Sequence, residues 1–293
     1  KKRRKKMSEY LLATHGLTKQ FGHHKAVDHV DLHVKKGSIY GFIGRNGAGK
    51  TTFLKMISGL SQPTSGEIEM FGYKNAQLKN VRSRISCLIE SPGLYGNMSA
   101  YDNLAVKCRL FGINDKRYIE NILKTVGLSN VGKKKTKHFS LGMKQRLGIA
   151  QAIVGEPKVL IFDEPTAGLD AKERIRFRNV ISSLAADKIV ILATHIVTDI
   201  AYVAKTVVLM NDGRIIKTGT QEELCSDISD KVWEITAQSD KVMDYMNRMR
   251  VSNAVSDGNK YTLRIVSDEY PENDAVSVPP TLEDVCIYYF GDM

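Results

Sequence analysis

Residues 38–52 read Ser-Ile-Tyr-Gly-Phe-Ile-Gly-Arg-Asn-Gly-Ala-Gly-Lys-Thr-Thr, and this stretch decides how the rest of the 293-residue chain is understood. Ser38 to Ile43 is apolar, short and rich in β-formers, so it reads as a strand. Thr51 to Leu60 has helical spacing. Between them, Gly44-Arg45-Asn46-Gly47-Ala48-Gly49-Lys50-Thr51 fits G-x-x-x-x-G-K-[ST] in the strand-to-helix context that this pattern requires. The glycines let backbone N–H groups turn inward around phosphate oxygens, and the helix that opens at the loop adds a partial positive charge. Lys50 would reach the outer phosphates, Thr51 would ligate Mg²⁺, and Thr52 follows on the same turn.

Such a loop needs a second carboxylate for the metal. Val159-Leu160-Ile161-Phe162-Asp163 ends a wholly apolar strand in an acid, and Glu164 follows at once. Strand ends of parallel sheets line the ligand crevice, so Asp163 is the expected Mg²⁺ partner and Glu164 the group that polarises an attacking water.

Strand and helix signals alternate around these motifs. ISCLIE, KVLIFD and KIVILATH read as strands; AKERIRFRNVISSLAA and IVTDIAYVA read as helices. This order implies a mostly parallel sheet covered on both faces. Residues 10 to 34 alternate loosely, and with GEIEMFG they read as an antiparallel sheet. VVLM-NDG-RIIKTG is a hairpin. From Ser99 to Gly155 three helical patterns interrupt the alternation, the third opening at Ser140, a good N-cap. After about Glu223 the character changes: KVWEITAQ and KYTLRIV are strands with a helix after the first, DEYPENDAVSVPP is loop, and Thr281 opens a last helix with Asp284 placed for a capping box.

The net charge is +11, and six of those charges are the Lys and Arg residues of KKRRKK at positions 1–6. They stand ahead of Met7-Ser8-Glu9 and read as a remnant of cloning or as a basic arm for acidic lipid or nucleic acid. The four cysteines lie far apart without metal-ligand spacing, and the expectation is buried thiols. No apolar run approaches a membrane span. His29 and His33 sit in an alternating strand pattern, and Lys133, Lys134 and Lys135 in a solvated loop; neither carries a function.

Residues 8 to about 222 resemble the nucleotide-binding subunit of an ABC transporter. GRNGAGKT matches its Walker A loop, VLIFDEPT its Walker B strand, and Ala167-Gly168-Leu169-Asp170 its D-loop. His195 matches the switch histidine, and Phe139-Ser140-Leu141-Gly142-Met143 stands where the family has LSGGQ. Phe21 stands where an aromatic ring stacks on adenine. Each motif is weak alone; the order of all of them is specific.

The resemblance implies an α/β fold: a P-loop (RecA-like) ATPase core with an antiparallel β subdomain, an inserted helical subdomain over about residues 91–155, and a small C-terminal α+β appendage over 223–293. It implies ATP and Mg²⁺ as ligands. Two subunits, a homodimer or a paired ABC subunit, would sandwich two ATP molecules. The P-loop of one would face Ser140, Leu141, Gly142 and Met143 of the other, with Asp170 linking the two sites and His195 on the γ-phosphate. A separate transmembrane permease would be the working partner, placing the chain at the cytoplasmic face of the membrane; no nucleic acid is expected. Two departures stand out. Leu141 and Met143 replace a glycine and a glutamine of the signature, and Phe21 lacks a hydroxyl.

The apolar strand before Ser91-Pro92-Gly93 ends in Glu90, where the family has a glutamine that meets Mg²⁺ and the permease groove. With SLGMKQRLGIA and the tail TLEDVCIYYFGD, this acid is similar to the bacitracin and lantibiotic self-protection exporters of Gram-positive bacteria. The alternatives are an ABC exporter of another cargo and a soluble, non-transport ABC ATPase. The single Walker A motif and the lack of sustained heptads weigh against the latter. The segment 223–293 reads as a dimer contact or a regulatory unit.

Overall fold

The computed structural model describes residues 10–272 and 274–291. The KKRRKK segment lies outside the described residues. β1 (Tyr10–Phe21) and β2 (His24–Lys35) form an antiparallel hairpin. With β4 (Ser65–Met70) and β5 (Tyr73–Lys74) they make a four-stranded sheet in the order β2-β1-β4-β5. Buried residues alternate along β2, with Val30, Leu32 and Val34 inward and Asp31 and His33 outward. One face is therefore core and the other is wet.

The second sheet runs β10-β9-β3-β8-β7-β6. It comprises β3 (Ile39–Ile43), β6 (Ile85–Leu88), β7 (Val159–Asp163), β8 (Ile189–Thr194), β9 (Thr206–Asn211) and β10 (Arg214–Gly219). β6, β7, β8, β3 and β9 are parallel, and β10 returns antiparallel to β9. Every residue of β3, β7 and β8 is buried, as central parallel strands require. The β9–β10 turn uses Asp212 and Gly213 at φ 46° and 77°, the left-handed pair that matches strand twist in a two-residue hairpin.

Helix α1 (Lys50–Ile57) follows β3, α5 (Ala171–Leu184) follows β7, and α6 (Val197–Val203) follows β8. Phe177 and Ile181 turn the inner face of α5 into the core, with Leu184 packed beside them. Three helices interrupt the sheet order as expected: α2 (Ala100–Leu110), α3 (Lys116–Thr125) and α4 (Leu141–Ile153). Ser140 caps α4 by accepting a hydrogen bond from Met143 N at 3.3 Å.

The C-terminal part holds α7 (Gln221–Ser226), β11 (Val232–Gln238), α8 (Val242–Arg248), β12 (Arg250–Asp257), β13 (Lys260–Val266), β14 (Val276–Ser277) and α9 (Leu282–Phe290). The strands form a third sheet, β12-β13-β11-β14. The Thr281–Asp284 capping box is present. Three details go beyond the sequence reading. β12 is an edge strand whose polar residues show no alternation, and DEYPENDAVSVPP contains β14. α9 bridges two sheets: Asp284 takes Arg264 of β13, while Leu282, Val285, Cys286 and Phe290 join Ile200, Val207 and Leu209 in the core of the main sheet. Of the four thiols, Cys108 and Cys286 are fully buried, whereas Cys87 and Cys225 are half-buried; all four are free.

Candidate functional site

Parallel pairing brings distant residues to one edge. β3, β8, β7 and β6 are neighbours, in register through Ile43 with Thr194, Ala193 with Asp163, and Phe162 with Leu88. Their C-terminal ends therefore release the 44–51 loop, His195, Glu164 and Glu90 at the same rim.

In the loop, Gly47 and Gly49 take φ 85° and 96°, which non-glycine residues rarely adopt. Packing also excludes side chains. A Cβ on Gly44 would lie 2.1 Å from the Met210 carbonyl oxygen, and one on Gly49 would lie 2.2 Å from that of Ala26. Arg45, Asn46 and Gly47 form the exposed crest, and Ala48 is buried beneath. Ala48 N donates to Arg45 O, and Gly213 N donates to Ala48 O, both at 3.1 Å. Gly49 caps α1 without a side-chain hydrogen bond, so no capping side chain occupies the first amides of the helix. Lys50 is buried, and its Nζ donates to the carbonyls of Gly44 at 2.6 Å and Arg45 at 3.1 Å. Burial pulls its pKa down, opposed by the charges of Glu164 and Asp163. Thr52 is half-buried on α1.

Thr51 Oγ1 donates to Asp163 Oδ2 at 2.6 Å. Asp163 is buried, and its Oδ1 has no hydrogen-bond partner. Desolvation pushes its carboxyl pKa up, and the Thr51 bond opposes this. An orphaned carboxylate oxygen beside a threonine hydroxyl is an all-oxygen set that suits a hard divalent cation.

Glu164 sits at φ 46°. Its Oε1 accepts from His195 N at 3.0 Å and lies 3.0 Å from His195 Nδ1, while its Oε2 accepts from Thr194 Oγ1 at 3.0 Å. The carboxylate is held on two sides by the end of β8. Thr194 is a residue that the sequence reading missed; its place beside His195 was the available signal.

Phe21 lies at the tip of the β1–β2 hairpin, 56% exposed, with Lys19 Nζ 5.1 Å from the ring centre. Ala26, a few residues on, abuts Gly49, so this hairpin end borders the loop.

Glu90 is also left-handed, at φ 65°. The strand before it stops at Leu88, two residues earlier than the sequence suggested. The Glu90 carboxylate accepts from Lys55 Nζ at 2.7 Å, and this bond holds its pKa below the ordinary carboxylate range. Lys55 also acts electrostatically on Asp163, as a minor influence against the rise in its pKa. The loop after Glu90 borders a shallow cavity of about 180 Å³ that Leu60, Cys87, Ile89, Pro92 and Lys107 help to line.

Ser140, Leu141, Gly142 and Met143 form the N-cap and first turn of α4, which pack on the start of α5. Asp170 caps α5, accepting from Glu173 N at 2.8 Å. Among the described residues, His15, Glu67 and Glu69 place metal-ligating atoms within 4.8 Å of one another on the antiparallel sheet. Lys74 Nζ already reaches both carboxylates, at 2.5 and 3.5 Å.

The ABC transporter family profile matches residues 27–167. The chain is 43% identical over 212 residues to the bacitracin transport ATP-binding protein BcrA of Bacillus licheniformis, covering 71% of this chain and 69% of that protein. The chain belongs to the ABC transporter ATP-binding subunits. Another member, the lantibiotic transport ATP-binding protein SrtF of Streptococcus pyogenes, is 38% identical over 207 residues, covering 70% and 89%. Among solved structures, the ABC subunit cbiO1 of Clostridium perfringens superposes with a TM-score of 0.67 at 26% identity, covering 75% of this chain and 92% of that one. The ATP-binding fold is therefore shared, and this ABC subunit carries additional chain beyond it.

Proposed function

We propose that two copies of this ABC subunit close around two ATP·Mg²⁺ and, on hydrolysis, drive a separate membrane permease that exports or clears a peptide antibiotic of the bacitracin or lantibiotic type. The observation that carries the ATPase reading is the Thr51–Asp163 pair with its free carboxylate oxygen, set beside Glu164 and His195. The loop amides and Lys50 hold the phosphates, and Phe21 stacks on the base. Mg²⁺ held by Thr51 and Asp163, with Glu90 as a further ligand, would neutralise phosphate charge. Glu164 orients a water and takes its proton as the water oxygen bonds to the γ-phosphorus. The bond to the bridging oxygen breaks, and ADP and phosphate leave. His195 steadies Glu164 and reaches the γ-phosphate. Ser140 and the Gly142 N–H of the second copy close the phosphate end, with Leu141 and Met143 flanking them and Asp170 bridging the two sites.

The cargo reading rests on likeness to BcrA and SrtF, and on the acid at position 90. Among the described residues no helix is long and apolar enough to cross a membrane, which fits a subunit held at the cytoplasmic face by its permease. Within this division, residues 7–222 form the nucleotide-binding domain and 223–293 an accessory segment for dimer contact or regulation. The test is tolerance. Co-expression with the cognate permease should raise resistance to bacitracin or a lantibiotic, and the Glu164→Gln variant should not. Unchanged tolerance to every cationic or cyclic peptide antibiotic would refute the cargo; an ATPase that still responds to Mg²⁺ would leave the ATPase reading standing.

A further inference from the structure

We infer that Glu173 is a positioning residue that locks the signature segment to the D-loop of the same chain, so that the two engage nucleotide as one body. It is the third residue of α5, and its N–H donates to Asp170, the cap of that helix, at 2.8 Å. Its carboxylate turns toward α4. Oε2 lies 3.1 Å from Arg146 Nε, and Oε1 accepts from Arg176 Nη1 at 2.5 Å. A Cβ on Gly142 would stand 2.6 Å from Oε2 and 2.9 Å from Cγ and Cδ. A side chain at the signature glycine would thus force the Glu173 carboxylate out of its place, apart from any close approach to phosphate.

The pair is well enclosed. Arg146 is buried, and its Nη1 donates to the carbonyls of Val126 at 3.2 Å and Gly127 at 2.9 Å, just past α3. Arg146 Nε and Glu173 Oε2 make no hydrogen bond, so the 3.1 Å ion pair between them is what offsets their burial. Separating them would leave a buried charge uncompensated, which is strongly unfavourable. The carboxylate also lies in the first turn of α5 and against the first turn of α4. Both helix starts carry positive partial charge, so one anion is attracted to two dipoles. A second contact runs beside it: Leu141, the residue that departs from the family's glycine, reaches within 3.0 Å of where a Cβ on Gly168 would be, in the turn before Asp170.

The signature start and the end of α3 are therefore pinned to one ion pair, and the D-loop cap to the backbone N–H of its acid, Glu173. Moving the first turn of α4 moves Asp170. This inference rests on the two-copy sandwich described above, in which both elements meet the nucleotide across the seam.

The experiment is a double-mutant cycle of Gly142→Ala and Glu173→Ala in the full chain. It reads kcat, affinity for a fluorescent ATP analogue, and the ATP concentration needed for dimerisation in a Glu164→Gln background. Glu173→Ala should leave analogue binding within about twofold, because the 44–51 loop is untouched, and lower kcat about ten- to a hundredfold through misplacement. The double variant should be no slower than Gly142→Ala alone, because the collision with the carboxylate is gone. Losses that multiply, or a Glu173→Ala kcat within twofold of wild type, would overturn the link. If Glu173→Ala does not fold, Glu173→Gln keeps the volume without the charge, and a wild-type kcat in that variant overturns it equally. A Glu164→Gln chain, otherwise unaltered, that does not dimerise with ATP overturns the sandwich and the inference together. An additive cycle, with the Glu164→Gln chain dimerising on ATP, overturns the link alone.

Discussion

Thr51 and Asp163 are 112 residues apart in the chain and 2.6 Å apart in the fold. The hydroxyl serves one carboxylate oxygen and leaves the other buried without a partner. This subunit holds a costly acid in place at the centre of its site.

That cost predicts a pH signature. Burial raises the Asp163 pKa above its ordinary value of 3.8. Below that value the acid is neutral in both states and has no effect. As pH rises from there through the folded pKa, the unfolded chain ionises first and stability falls; above it the loss is constant. Asp163→Asn should therefore melt higher than wild type at neutral pH without nucleotide, by about 2–4 °C per kcal/mol recovered, and the gap should close toward pH 4. Its Mg²⁺-dependent ATPase should drop about 10²–10³-fold. Calorimetry across pH 4–8 checks the first half and a phosphate-release assay the second. A variant no more stable than wild type at pH 7 contradicts the argument.

Glu164 is anchored through Thr194 and His195 rather than free to swing. Glu164→Gln should reduce turnover about 10²–10⁴-fold while keeping ATP binding, so the dimer accumulates on gel filtration with ATP. Undiminished turnover would remove Glu164 from the chemistry.

Glu90 is exposed and paired with Lys55. Since the pair depresses the Glu90 pKa, the acid stays charged at neutral pH. The stabilisation is complete above the ordinary value of 4.5 and is lost as pH falls through the folded pKa; exposure and salt keep it small. The consequence of the pair is for coupling. Glu90→Ala should bind ATP normally yet lose transport, and Glu90→Gln should be milder. Full transport by Glu90→Ala, measured as antibiotic tolerance with the permease, would refute the coupling role.

In the C-terminal segment, Asp284 is fully buried; its carboxylate completes the capping box of α9 by accepting from Thr281 N at 2.7 Å, and takes Arg264 Nε at 2.9 Å. Removing one partner of a buried pair costs about 3–5 kcal/mol, so Arg264→Ala should unfold at much lower urea than wild type. Nucleotide affinity of the folded fraction should hold. An unchanged urea midpoint would show that the pair is dispensable.

Much of this was legible in the chain alone. The Walker A loop, the two acids after VLIF, His195, the cap at Ser140 and the box at Thr281 are local patterns, set by spacing of a few residues. Lys55 was not legible as the partner of Glu90, because the pair spans 35 residues and a lysine in α1 has no local mark. Glu173 was hidden for the same reason: its partners come from α4 and α5 together. β12 escaped because an edge strand buries little and so does not alternate.

The sequence by itself determined most element types, the phosphate loop and the candidate reacting groups, since periodicity, glycine placement and capping act over one or two turns. Only the tertiary structure decided that β3, β8 and β7 are adjacent, that α9 joins the main core to the small C-terminal sheet, and that Glu173 meets Gly142 with its carboxylate and Asp170 with its backbone N–H. Those outcomes depend on which apolar faces bury one another and which buried charges meet. Such pairings are chosen by the packing of the whole chain rather than by any stretch of it.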